Sequence, residues 1–127
     1  MELEKAIVLH LQQNLALKKM VDKKIYAGGV APEGTKAPYL VFSALYISRH
    51  HDLDVAYPVY QFSCFSPSYA EAKQLGRLVR QAFWRYKGDL QGVQIIQGVL
   101  ENEFEIYEED TKLYHVAVEI KLLHQSF

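Results

Sequence analysis

Along the first fifth of the chain, apolar residues return at about one helical turn: Leu3, Ile7, Val8, Leu11, Leu15, Met20, Val21 and Ile25, with Lys5, Gln12, Lys19 and Lys23 opposite. The spacing predicts one amphipathic helix over residues 2–26, bent near 16–18. Residues 27–38 then carry Gly28, Gly29, Pro32, Gly34 and Pro38, a set that suits no regular element, so a long exposed loop is expected. From 39 to 48 the run YLVFSALYIS is β-branched and aromatic with no charge on either face, which reads as a strand wanting cover on both sides. A polar turn over 49–54 leads to a second strand over 55–65, antiparallel to the first, where Pro58 implies an edge or a bulge.

Ser66 followed by Pro67 predicts a helix start, with Ser68 and Glu71 as an overlapping capping box. The apolar face of this second helix is Ala72, Leu75, Leu78, Val79, Ala82, Phe83 and Tyr86; Lys73, Arg77, Arg80 and Arg85 spread over its other faces, and Gly88 suits the stop. The last third alternates. Leu100, Phe104 and Ile106 are apolar at even positions and Glu101, Glu103 and Glu105 acidic at odd ones, and the phase repeats in Tyr114, Val116, Val118, Ile120 and Leu122 against His115, Glu119 and Lys121. For both apolar sets to share a face, the hairpin needs an odd loop, taken as 109–111. That register opposes Glu108 with Lys112, Glu105 with His115 and Phe104 with Val116. The expected fold class is α+β: a mostly four-stranded antiparallel sheet with two helices packed on it, order α-β-β-α-β-β, in a single domain spanning 1–127.

A chain of 127 residues with 50% hydrophobic and 23% charged residues is sized for one globular core. The net charge of −1 makes no field that gathers phosphates, so specific nucleic-acid binding is not expected. One cysteine, Cys64, leaves no intrachain disulfide or Cys-based zinc site and suits a reducing compartment. The acidic, amphipathic N-terminal stretch does not read as a signal peptide, no apolar run has membrane-spanning length, and no membrane partner is expected.

Candidate chemistry is thin. His50, His51 and Asp52, with Asp54, have metal-ligating side chains, but no HxH or HxxxH spacing; a polar hairpin tip is the better reading, and a small metal-dependent enzyme is the minor alternative. Cys64 lies between Phe62 and Phe65 and reads as a buried hydrophobe rather than a nucleophile. Gly28-Gly29 does not open a helix, so it makes no phosphate cradle. No catalytic residue, metal or cofactor is assigned. The carboxylates Glu101, Glu103 and Glu105 read as one charged face of a strand. Nine tyrosines and a strand without a polar face exceed what a domain this small buries alone, which points to partner surfaces.

The N-terminal helix, the stretch KKIYAGGVAPEGTKAPYLVFS, the passage VYQFSCFSPSYAEAKQLGRLVRQAF and the closing YHVAVEIKLL together resemble the small tail-completion, or tail-terminator, proteins of long-tailed bacteriophages. The family's Ile-Tyr step through a Gly/Pro loop into Pro-Tyr-apolar-apolar-Phe falls on Ile25-Tyr26 and 38–42. Its aromatic strand, Ser-x-Ser-x-x-Glu-Ala and Val-Arg-x-Ala fall on 60–65, 66–72 and 79–82. Where relatives often carry an acidic residue in the second strand, this chain has Ser63. The resemblance implies a non-enzymatic ring subunit, commonly hexameric, at the head-proximal end of the virion tail, assembled in the host cytoplasm from a phage or prophage. Its partners would be its own copies, the tail-tube protein and the head-connector or neck protein. Gly28, Gly29, Pro32, Gly34, Arg49, His50, His51 and Asp52 are the expected docking loops, and Glu101, Glu103 and Glu105 the expected lumen-facing residues. Another neck or tail-tube component is the nearest alternative.

Overall fold

The structure, a computed structural model, describes residues 2–50 and 52–125. Its elements are helices α1 (Glu2–Gln12) and α2 (Leu15–Val21), strands β1 (Ile25–Ala27), β2 (Tyr39–Tyr46), β3 (Val55–Ala56) and β4 (Val59–Ser66), helix α3 (Tyr69–Phe83), and strands β5 (Gly88–Leu90), β6 (Val93–Glu108) and β7 (Leu113–Gln125). The mixed α+β class agrees with expectation, but the details differ. Among the described residues the sheet has seven strands in the order β1-β2-β4-β7-β6-β5, with β3 beside β7, and β1 runs parallel to β2, so it is neither four-stranded nor purely antiparallel. Among the described residues three helices replace the expected two.

The third helix arises because the expected N-terminal helix breaks at Asn14, not at 16–18. Asn14 has extended φ/ψ, and its side-chain oxygen accepts from Leu17 N–H at 3.1 Å. Asn at an N-cap satisfies a donor that the helix would otherwise leave bare. The chain then feeds Ile25 and Tyr26 into β1, beside Leu40 and Val41 of β2. Pro58 does interrupt its strand: β3 and β4 lie on either side of Tyr57-Pro58, and both pair with β7.

Even-numbered residues of β2, β4 and β7 face the helices. Leu40, Phe42, Tyr60, Phe62, Cys64, Val116, Val118, Ile120 and Leu122 form one buried cluster with Leu3, Ile7 and Leu11 of α1, Leu17 and Val21 of α2, and Leu75, Val79 and Phe83 of α3. Full burial of such a side chain contributes about 1.5–3 kcal/mol. Cys64 is part of this cluster; burial above all, and then Glu103, pushes its thiol above the ordinary range, as a structural cysteine requires. Two polar ties fix α1. Tyr60 Oη donates to Glu4 Oε2, and His10 Nε2 meets the Ala82 carbonyl at 3.0 Å.

Helix α3 starts at the capping box, with Ser68 Oγ accepting from Glu71 N–H at 3.2 Å, two residues later than the Ser66-Pro67 start. Ser66 supports that cap instead, donating to Glu71 Oε1 at 2.6 Å. The helix ends at Phe83, and Gly88, expected as its stop, opens β5. Two glycines bring α3 onto the sheet. A β-carbon on Gly76 would stand 2.7 Å from Val116 Cγ1, and one on Gly98 2.2 Å from the Phe83 carbonyl oxygen.

The β6–β7 hairpin carries the largest departure. Near its tip Glu108 opposes Leu113, Glu105 opposes Val116 and Phe104 opposes Ala117, one residue away from the expected register. Beyond an irregularity between Leu100 and Asn102, Leu100 opposes Ile120, the phase expected from sequence. An extra residue in one strand turns all later side chains over. Glu103 and Glu105 therefore lie on the helix side with Val116 and Val118, and Phe104 and Ile106 on the other.

Candidate functional site

The loop and hairpin singled out in the sequence sit at opposite ends of the sheet. Register alone establishes this. Tyr39, Phe65, His115 and Ile106 form one row across β2, β4, β7 and β6, at the end where the β6–β7 tip and the entry into β2 lie. The 48–54 hairpin leaves the other end of β2, next to the β3–β7 pairing of Ala56 with His124.

At the first end, the segment after β1 curls over the helix-free face. Its Gly28 N–H donates to the Phe42 carbonyl at 2.8 Å, and Gly29 adopts a φ of +82° close to Ser43, a conformation that glycine takes without strain. Thr35 closes a turn on the Pro32 carbonyl through both its N–H, at 3.1 Å, and its hydroxyl, at 2.6 Å. Gly29, Val30, Pro32, Gly34 and Thr35 then face Tyr39, Val41 and Phe65 across a cleft of about 250 Å³. Val30, at 78% exposure, stands out from the loop. Beneath it, Tyr39 and Phe65 stack at 5.0 Å and Phe65 and His115 at 4.4 Å. Such stacks present wide apolar area on a rigid strand support.

This setting disfavours a proton on His115. Burial lowers its pKa against an opposing pull from Glu108, whose Oε2 lies 3.8 Å from Nδ1. Among the described residues neither ring nitrogen has a hydrogen-bond partner. The tip itself is acidic: Glu108, Glu109, Asp110 and Thr111 enclose an open hollow.

At the second end, the hairpin closes on its own polar groups. His50 N–H donates to the Val55 carbonyl at 3.0 Å, Tyr57 N–H to the Ser48 carbonyl at 2.8 Å, and Asp52 N–H to His50 Nδ1 at 3.1 Å. Arg49 bridges to Ala56. His51 lies outside the described residues. Among those described, no three His, Cys, Asp or Glu side chains converge as a metal site, and His50 Nδ1 is already engaged.

The three glutamates do not share one face. Glu103 accepts twice from Arg80 Nη1, at 2.9 and 3.1 Å, and Glu105 pairs with Lys73 and accepts from Tyr69 Oη at 2.8 Å. Glu101, before the phase change is complete, pairs with Lys121 at 2.9 Å, a residue of the opposite face. The hydrogen bonds from Lys73, then from Tyr69, hold the Glu105 carboxyl below the usual range. Sequence alternation suggested a bare acidic strip; the structure has three ion pairs. The basic residues of α3 were legible, but their reach to β6 was not.

Residues 5–125 match the family described as Tail completion protein gp17. Among solved structures, a chain from the virion of a native gene transfer agent particle is similar in fold, with a TM-score of 0.79 at 15% sequence identity, over 98% of this chain and 95% of that one. No curated protein matches the chain.

Proposed function

The chain belongs to the tail completion protein gp17 family, and from that membership we propose that it is a non-enzymatic subunit of a ring, hexameric in the simplest case, that caps the tail tube and joins it to the head connector. The observation that carries this reading is the polarity of the sheet. One end bears the Gly28–Gly34 loop over the Tyr39–Phe65–His115 row, and the other bears the Arg49–Asp52 hairpin. A subunit joining two different structures needs two different docking ends, whereas a tube subunit must copy one surface onto the next layer. The solved chain from a gene transfer agent virion supports the reading at the level of fold.

Capping requires no cofactor and no reacting group. The loop with its exposed Val30 docks on the tube and orders there, since its glycines and prolines give it little internal packing. The hairpin faces the connector. A DNA passage bordered by the helix side of β6 would meet Glu103 and Glu105 balanced by Arg80 and Lys73, without the surplus cations that hold phosphate; Glu101, on the other face with Lys121, would not share that passage. The ring would act at the head-proximal end of the virion tail after assembly in the host cytoplasm.

Polymerising tail tubes provide the test. Added protein is expected to stop growth and to sit only at tube ends; incorporation along the length would overturn the capping reading in favour of a tube component.

A further inference from the structure

Resting on the ring reading, we propose that neighbouring subunits join by strand addition, the outer edge of β6 in one copy receiving the outer edge of β2 from the next. The sheet is open, ending in β1 on one side and β5 on the other. Neither short strand covers its neighbour. Strand β1 lies beside Leu40, Val41 and Phe42 only: Leu40 N–H donates to the Lys24 carbonyl at 3.0 Å, and the Phe42 carbonyl accepts from Gly28 N–H. Two residues on, Ala44 turns the same groups to that edge, past the end of β1. On the far side β5 covers Val93, Gln94 and Ile95. Gly98 still finds partners, donating to the Tyr86 carbonyl at 3.0 Å and accepting from Arg85 N–H at 3.2 Å. Among the described residues no strand lies outside β6 from 99 to 108, and the one-residue phase change at 100–102 puts the outward backbone groups on Glu103 and Glu105.

Uncovered backbone donors and acceptors template another strand, and proteins that must stay apart cover or charge such edges. Here both edges carry exposed apolar residues: Leu45, Tyr46 and Ile47 at 46, 53 and 47% exposure on one, and Val99, Ile106 and Tyr107 at 36, 46 and 47% on the other. Ring closure selects the pairing. Joining β2 to β2 or β6 to β6 is the isologous contact of a two-fold pair, whereas joining β2 to β6 repeats one contact around every copy. A contact between two different edges is heterologous and generates a ring when its rotation closes.

Proline tests this directly, because it removes an N–H and is tolerated where that N–H faces outward from an edge. Ala44→Pro and Glu103→Pro should each keep a cooperative thermal transition and each sediment as a monomer, while Ala44→Val assembles like wild type. An equal mixture of the two proline variants should give a one-to-one heterodimer and nothing larger, each partner supplying the edge the other lacks. In wild type, amide exchange at Ala44 and Glu103 should slow on assembly. The inference is overturned if wild type assembles with both amides unchanged, if either proline variant assembles normally, or if the mixture of folded variants stays monomeric. Wild-type protein that is monomeric at every concentration, with and without tubes, overturns the ring reading and this inference with it.

Discussion

Gly98 lies so close to Phe83 that a β-carbon on it would stand 2.2 Å from the Phe83 carbonyl oxygen. This approach lets the end of α3 hydrogen-bond to the flank of β6, through Arg85 N–H to Gly98 and Gly98 N–H to Tyr86. Gly98→Ala cannot be absorbed by a flexible side chain, because the clash is with backbone. It is expected to destabilise the fold by about 2–3 kcal/mol, as overpacking of a fixed contact does, read as a lower urea midpoint. An unchanged midpoint would remove the close approach as a determinant of the α3–β6 junction.

The Glu103–Arg80 pair gives a second expectation. Its side chains are 28 and 32% exposed, so the attraction is partly screened, and its loss costs at most about 1 kcal/mol. Glu103→Lys places an ammonium against the guanidinium and should cost more than Glu103→Gln. The gap between the two variants should narrow in high salt. If both melt alike at low salt, Arg80 does not face position 103.

The third expectation concerns pH. Because burial lowers the His115 pKa, the unfolded chain takes up a proton near the ordinary value of about 6.5 that the folded chain refuses. Stability is therefore level above that value and falls as pH drops from it toward the folded pKa. The carboxyl of Glu105, held low by Lys73 and Tyr69, loses its contribution only further down, as pH falls below the usual carboxylate range. Melting temperature measured from pH 7.5 to 5 should decline less steeply in His115→Gln than in wild type, and parallel curves would show that His115 does not set the slope.

What the sequence by itself determined lies where local chemistry suffices. The Ser68–Glu71 box caps α3 because both partners are three residues apart, and the α3 face of Leu75, Val79 and Phe83 is buried as its spacing requires. The ordered string of motifs was enough to place the chain in its family. The Asn14 break was also local, but the apolar spacing runs through it and outweighed the cap.

Tertiary structure decided the rest. Strands β1 and β5 have three residues each and exist only by pairing, so no periodicity announces them. The inversion within β6 has the same origin. Its alternating glutamates repeat without interruption from 101 to 105, yet the pairing shifts by one residue beside them. Side-chain alternation records which residues share a face, not which face meets the helices. That face is decided by the pairing with β7, and on it Glu103 and Glu105 meet Arg80 and Lys73 of α3, 23 and 32 residues earlier in the chain, while Glu101 turns to Lys121.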